Sequence, residues 1–480
     1  MFLSVFEELY DKVIEETLKN KNFNKPTGAV FNKAQENRVN RENYSQLDSF
    51  ALIIEKSLTH QPDIEYLKKL EETYAISSLS LTMIADRHFG DNEKLLNYTQ
   101  KLALIELTFN YAIGLTDKYN YQFAWFESVG DFFSYIIYLV FKHRKIEISM
   151  IVHGQFPGKV AIANNEQLIW NKVESEISNI QNLSQPSYEE IKKAKIFLED
   201  YRQNLPVPTS FSKRSLPRIS LSDLKNFIRW FKDGFSQDKR YNIFYQSPVH
   251  IIWIKFRRIL RAFRAKKIFD DIRKDDLGEY VFFPLHFQPE MTTLVCAPYC
   301  INQVAVIEDI AKSLPIGVRL IVKEHHGSIG RRRISDYLDI KKNWNVTLIG
   351  PAEDTMEIIK NSQAVVTINS TVGLQGFLLG IPVVTLARVG YDAGSSIIRA
   401  HLVPRSELNK VLRSAIHSSP KDQDILDFLV AVDRVLIDGA DKINLEHPAY
   451  NPKATLNPEN IRNISQLLQT HFHSQIKELD

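Results

Sequence analysis

AVVTINSTVGLQGFLLGIPVVTLA, residues 364–387, opens with a Val-rich run, passes through Asn369-Ser370-Thr371 into an apolar helical segment, and closes in a second Val-rich run. Short apolar runs rich in β-branched residues and bounded by turn residues read as buried strands. Gly380 follows the helical segment as a cap residue, and Pro382 prevents its continuation. The stretch is therefore strand, helix, strand. Two parallel strands joined by such a crossover are the unit of an α/β fold.

The same alternation extends back to residue 279. EYVFFPL (279–285), GVRLIVKE (317–324) and NVTLIG (345–350) read as strands, with INQVAVIEDIAKSL (301–314), RRRISDYLDIKKNW (331–344) and DTMEIIKNS (354–362) as helices between them. Five Val- and Ile-rich β runs separated by helices predict a doubly wound parallel sheet. Further back, YQFAWFES (121–128), VGDFFSYIIYLVFKHRK (129–145) and IEISMIVH (146–153) form a second βαβ pattern, so the N-terminal half is also α/β. Apolar residues at helical spacing predict helix over 45–115. The stretch 175–275 reads as a polar helix near 188–204, a Pro/Ser-rich segment from Pro206 to Pro217, and the basic segment IIWIKFRRILRAFRAKKIF at 251–269. The expected organisation is an N-terminal domain over 1–275, a C-terminal domain over 276–440, and a helical segment over 441–480. Within the last, NPENIRNISQLLQTHFHSQIKEL (457–479) is a candidate to return to the first domain.

Bulk properties narrow the function. The chain has 480 residues, 44% of them hydrophobic, and can bury more than one core. A net charge of +3 gives no reason to expect a nucleic-acid partner. Cys296 and Cys300 are the only cysteines and suggest neither a disulfide framework nor a zinc site. The N-terminus lacks the features of a signal peptide, and the longest apolar run, 132–141, is too short to span a bilayer. A cytoplasmic location, soluble or peripheral on the inner face of the membrane, is expected.

Ligands of an open parallel sheet bind beyond the carboxyl ends of its strands. Here those positions are polar: His286, Gln288 and Glu290 after the first run, Lys323 and His325 at the second, and Asn369, Ser370 and Thr371 after the fourth. At a strand-to-helix turn the amides of Thr371, Val372 and Gly373 would be unpaired and form an anion cradle, with Gly373 letting a phosphate approach. The plainer reading of Ser370 or Thr371 is a helix N-cap. Lys323 and His325 can face a phosphate leaving group and stabilise its charge; one guanidinium of Arg331, Arg332 and Arg333 could reach the same ligand. In the N-terminal half, Glu127 follows a strand and is the candidate base for an acceptor hydroxyl, ahead of Asp131, which lies a helical turn in. Asp86, Arg87 and His88 form a further polar cluster suited to acceptor contact. No Asp-x-Asp motif follows a strand in the C-terminal half, and no metal or other cofactor is expected.

The segments FFPLHFQPEMTT, LPIGVRLIVKEHHGSIGRRR, NVTLIGPAEDTMEII and AVVTINSTVGLQGFLLGIPVVTLARVGYD, within residues 282–392, resemble the capsule polysaccharide biosynthesis glycosyltransferases, a group that includes transferases of 3-deoxy-manno-octulosonic acid (Kdo). DRHF (86–89) and the 121–160 region are similar more loosely. The resemblance implies a GT-B fold, two Rossmann-like domains with a parallel sheet each and a cleft between them. It also implies a nucleotide-sugar donor, CMP-linked and Kdo-like, and a surface or capsular glycan or lipid-linked glycan acceptor. His325 matches the family's histidine after one C-domain strand, and Ser370 with Thr371 matches its later hydroxyl pair. His326 stands where the family has proline, and Gln375 where it has a nucleotide-binding glutamate; an amide can still donate and accept there. Three alternatives stay open: a nucleotide-sugar epimerase, a transferase of polyol phosphate from a CDP-linked donor, and a non-catalytic nucleotide- or glycan-binding scaffold of a capsule assembly complex. Segment 251–269 fits either an anionic membrane surface or a solvated connecting helix.

Overall fold

The structure, a computed structural model, describes residues 2–4, 8–20, 23–30, 39–74, 78–85, 96–126, 129–152, 156, 159–204, 248–272, 277–438 and 457–479. In chain order the elements that position the site are β1 (Phe2–Ser4), α1 (Glu8–Thr17), β2 (Thr27–Val30), β3 (Gln46–Ser49), α2 (Tyr98–Lys118), β4 (Phe123–Phe126), α3 (Phe132–His143), β5 (Glu147–Val152) and β6 (Lys159–Ala163). Then follow α4 (Asn171–Asn182), α5 (Tyr188–Gln203), α6 (Pro248–Lys266), β7 (Glu279–Pro284), α7 (Gln303–Ser313), β8 (Val318–Lys323), α8 (Ile334–Lys341), β9 (Val346–Ile349) and β10 (Ala364–Thr367). The chain continues through α9 (Thr371–Leu378), β11 (Val383–Thr385), β12 (Ile398–Arg399), α10 (Leu408–Ile416), α11 (Asp422–Val435), β13 (Ile437–Asp438) and α12 (Pro458–Leu479).

Two sheets result. The second has the order β12-β11-β10-β7-β8-β9 with every pair parallel. Counted from β7 this is the doubly wound Rossmann order, whose strand direction of travel reverses between β7 and β10. The first has the order β13-β6-β5-β4-β1-β2-β3, parallel from β5 to β3 and antiparallel where β6 and β13 join. Its own reversal lies between β1 and β4. The expected α/β architecture with two Rossmann-like parallel sheets is present.

Strand alternation builds the cores. On the second sheet Tyr280 and Phe282 face the cluster with α9 and α11, while Val281 and Phe283 face the cluster with α7, α8 and α10. On the first, Ala124 and Phe126 face α2 and α3, and Phe123 and Trp125 face α1 and α12. Each buried Val or Phe among these stabilises by roughly 1.5–3 kcal/mol before entropy. Helices α4 and α5, which the sequence reading groups with the first domain, bury Val173, Ile177, Ala194 and Leu198 in the same core as Phe282 and Phe428 of the second sheet's layer. Near the end of the chain, β13 pairs with β6, and α12 packs on α1, with Thr17 and Ser465 hydroxyls 2.9 Å apart.

One segment departs from the expected helix over 45–115: Gln46–Ser49 is strand β3, in parallel register with Thr27–Val30. Pairing with β2 decides its conformation, whereas helix does begin at Ala51. Five further short strands, β1, β2, β6, β12 and β13, carry no period that marks them in the sequence.

Candidate functional site

The loops leaving β7, β8 and β10 meet at the reversal point of the second sheet. After β7, His286 is 5% exposed. Its backbone is clamped by Gln303 of α7, whose Oε1 accepts from His286 N at 2.8 Å while Nε2 donates to His286 O at 3.3 Å. Its ring Nε2 lies 3.4 Å from Thr367 Oγ1, at the end of β10. Burial, then the neighbouring His325 and Arg332, pushes the His286 pKa down to about 3. His286, expected among the donor contacts, is a buried neutral group joining two strand ends.

Beyond β8, the buried Glu324 organises the loop. Its carboxylate accepts from His325 N (2.6 Å), Arg332 Nε (3.0 Å) and the Tyr337 hydroxyl (2.6 Å). Arg332 also donates to His286 O at 3.2 Å, which ties this loop to the one after β7. Two of its guanidinium nitrogens, Nε and Nη2, are thereby engaged by protein acceptors. Glu324 ends the run GVRLIVKE, and its partners lie eight and thirteen positions on, too far for any local signal. Arg331 instead stacks over Phe287, 4.9 Å from the ring centre.

The loop fixes the His325 tautomer. Gly327 N donates to His325 Nδ1 at 3.1 Å, so the ring proton resides on Nε2. Burial foremost, with Lys323 and Arg332, lowers the His325 pKa to about 4. Lys323 donates to Pro351 O at 3.2 Å, and burial lowers its pKa to about 8. At neutral pH the end of β8 thus carries a neutral hydrogen-bond donor beside an ammonium.

Past β10, Ser370 is the N-cap of α9; its Oγ accepts from Val372 N at 3.3 Å and its carbonyl accepts from Gly373 N at 3.0 Å. The expected cradle of three free amides is therefore reduced to one: only Thr371 N has no partner among the described residues. Gly373 has a different role from the one expected. A Cβ there would lie 2.2 Å from the buried Tyr391 hydroxyl, which donates to Ser370 O at 2.5 Å. The glycine makes room for this tyrosine, not for a phosphate. Asn369 donates from Nδ2 to Thr292 O at 2.6 Å, and its buried Oδ1 has no protein partner. Thr371 is exposed and Gln375 half-buried on the first turns of α9.

Gln288 and Glu290 shape the loop after β7: Gln288 Nε2 donates to Ile301 O at 2.7 Å, and Glu290 accepts from Thr292 Oγ1 at 3.1 Å. That loop reaches the first sheet's layer, where Val295 is buried and Met291 packs against the cluster of Val129 and Phe132. A Cβ on Gly130, in the turn after β4, would stand 2.9 Å from Met291 Cβ. The strand ends of the two sheets therefore face one another. Asp131 caps α3, accepting from Ser134 N at 2.9 Å. Glu127, Asp86, Arg87 and His88 lie outside the described residues. Among the described residues, no group of three His, Cys, Asp or Glu could hold a metal ion, and no helix is long and apolar enough to cross a membrane.

Residues 226–395 match the family model described as "Capsule polysaccharide biosynthesis protein". The matched region runs from ahead of α6 to the segment before β12, and so contains the loops after β7, β8 and β10. The resemblance read from residues 282–392 is met there. Protein FixF of Sinorhizobium fredii is 27% identical over 157 residues, 31% of this chain. The match spans only 37% of that relative's length. Among solved structures, the Thermosulfurimonas dismutans KpsC β-Kdo 2,7 transferase covers 67% of this chain and 88% of its own at 10% identity, with a TM-score of 0.33. The S. aureus MnaA–UDP co-structure covers 93% and 94% at 10% identity, with a TM-score of 0.28.

Proposed function

We propose that this chain is a glycosyltransferase of capsule or surface polysaccharide synthesis that takes its sugar from a nucleotide-linked donor, CMP-linked and Kdo-like. The observation that carries the reading is His325: a neutral imidazole, its Nε2–H fixed by the Gly327 amide, beside Lys323 at the reversal point of a Rossmann sheet. The match of residues 226–395 to the capsule family supports it.

In this reading the acceptor hydroxyl attacks the anomeric carbon as the bond from that carbon to the phosphate oxygen breaks, with inversion and without a divalent metal. Glu127, immediately after β4, takes the hydroxyl proton. The departing nucleotide carries the electron pair away as phosphate charge. His325 Nε2–H, the Lys323 ammonium and Thr371 N–H stabilise that charge. Asn369 Oδ1 and Gln375 offer acceptors to donor hydroxyls or the base. The acceptor, a glycan or lipid-linked glycan, enters from the first sheet's side, and the enzyme works at the cytoplasmic face of the membrane.

The test is a thermal-shift screen against CMP, CDP, UDP, GDP and their sugar conjugates, with His325→Ala and Ser370→Ala in parallel. A nucleotide at about 100 times its Kd adds roughly 2.7 kcal/mol of stability. A shift with CMP that both variants lose is expected. A shift with another nucleotide alone would discard the Kdo-like donor, and none at all would discard the transferase.

A further inference from the structure

Helix α6 presents two unlike faces. Inward, Ile254, Ala262 and Ala265 are buried, and Ala265 joins the core beside the second sheet. Outward, Val249, Ile252, Trp253, Phe256, Leu260 and Phe263 are 43% to 74% exposed. These six recur at steps of three and four, which places them in one stripe along the helix, opposite the buried face. Exposed cations border the stripe: Arg257 and Arg264 on one flank, Lys266 on the other. No acidic residue occurs from 248 to 269.

We propose that this stripe docks on an anionic membrane surface, with α6 lying in the plane of the interface. The apolar side chains then occupy the boundary between headgroups and acyl chains, and the flanking Arg and Lys side chains reach back to lipid phosphates. Trp253 and Phe256, whose ring centres are 6.2 Å apart, supply aromatic anchors. The charge pattern selects this occupant. A second copy seated on the same stripe would bring two cation-rich helices together with no acid on either to offset them.

The inner face of α6 carries the donor-side loop. The Arg258 carbonyl fills the space where a Cβ on Gly330 (φ +79°) would stand, 2.2 Å away, and Arg261 Nη1 donates to Arg331 O at 3.2 Å. Lipid and the loop bearing His325 are thus separated by one helix, about 10 Å across. Docking holds the cleft beside the bilayer, where a lipid-linked acceptor lies. Only this last consequence rests on the transferase reading; the lipid contact stands on the helix alone.

The experiment is co-sedimentation of the full chain, without donor or acceptor, with phosphatidylcholine vesicles and with vesicles that also contain phosphatidylglycerol. Binding is expected to the anionic vesicles, to weaken with salt, and to fall about tenfold or more in Trp253→Ser/Phe256→Ser. The circular-dichroism melting curve and the nucleotide thermal shift of that variant should stay those of the parent. Arg257→Gln/Arg264→Gln should lower binding and its salt dependence. No binding to the anionic vesicles, or equal binding by the Trp253/Phe256 variant, overturns the proposal. So does a dimer in solution that the variant disperses while vesicles bind neither form. Vesicle binding without any nucleotide shift would leave this inference standing and remove the transferase.

Discussion

In the proposed site His325 and Lys323 would divide two tasks that a single cation would otherwise combine. The imidazole donates a hydrogen bond at a defined atom without charge, and the ammonium supplies a field that pH can remove. Because burial lowers the Lys323 pKa to about 8, its charge is present below that pH and lost above it. Nucleotide affinity is expected to fall above pH 8, by up to about tenfold per pH unit. Lys323→Arg, charged throughout, should flatten the profile, and titration calorimetry between pH 7 and 9.5 checks both. The two histidines act on stability with a definite sign. Their folded pKa values, about 3 for His286 and about 4 for His325, lie below the ordinary 6.5. The unfolded chain therefore binds protons near pH 6.5 that the folded chain refuses, so their contribution is full above 6.5 and is lost as pH falls toward 4. The loss approaches at most about 1.4 kcal/mol per pH unit for the buried His286. The Tm of the parent should fall over that window more steeply than that of His325→Gln; parallel curves would remove His325 from the account.

At the scale of elements, the turn from β10 into α9 is held by a tyrosine that no local pattern announces. Tyr391 lies twenty-one residues after Ser370, whose carbonyl it bonds, and Gly373 is small because that hydroxyl occupies the space. Gly373→Ala is expected to cost about 1–3 kcal/mol through overpacking, and Tyr391→Phe about 1 kcal/mol through the lost hydrogen bond. The double variant should cost clearly less than the sum, because the phenylalanine relieves the alanine's clash. Additive urea-denaturation values would show that the two do not share the space. The same contrast explains what was legible in the chain. Strands β7 to β11 are buried on both faces and read as continuous apolar runs, and their polar followers marked the right end of the sheet. β3, with the sequence QLDS, carries no such run and exists through its pairing with β2. Glu324, Tyr337, Gln303 and Tyr391 act through tertiary contacts, so the framework of the candidate site carries no local signal in the sequence. The amides after Ser370 were overestimated for the related reason that the cap consumes the donors it creates.

At the scale of the molecule, the chain leaves the first sheet after β6, builds the second through β12, and comes back through β13 and α12. Residues far apart in sequence thereby close one core: Ile464 and Leu468 of α12 lie with Val13 and Ile14 of α1 and with Phe123 and Trp125 of β4. No residue of β7 to β12 belongs to that cluster. Contact between the two halves runs elsewhere, through the layer that joins Ala161 and Ala163 of β6 to Trp170, Val173 and Phe428, and through Met291 and Val295 packed with Val129 and Phe132. A cavity at Ile464 should therefore loosen one sheet and leave the other nearly as it was, since opening follows the units that share buried contacts. Ile464→Ala is expected to cost about 2–5 kcal/mol. In native-state hydrogen exchange the lost protection should appear in α1, β4, β5 and α12, while β7, β8 and β10 keep theirs. The alternative is equal loss in both sheets, which would mean that the layer around Trp170 binds the halves into a single cooperative unit. Donor affinity in Ile464→Ala then separates the consequences: unchanged affinity shows that the second sheet builds the nucleotide site by itself, and a parallel fall shows that the returning helix supports the site from across the molecule.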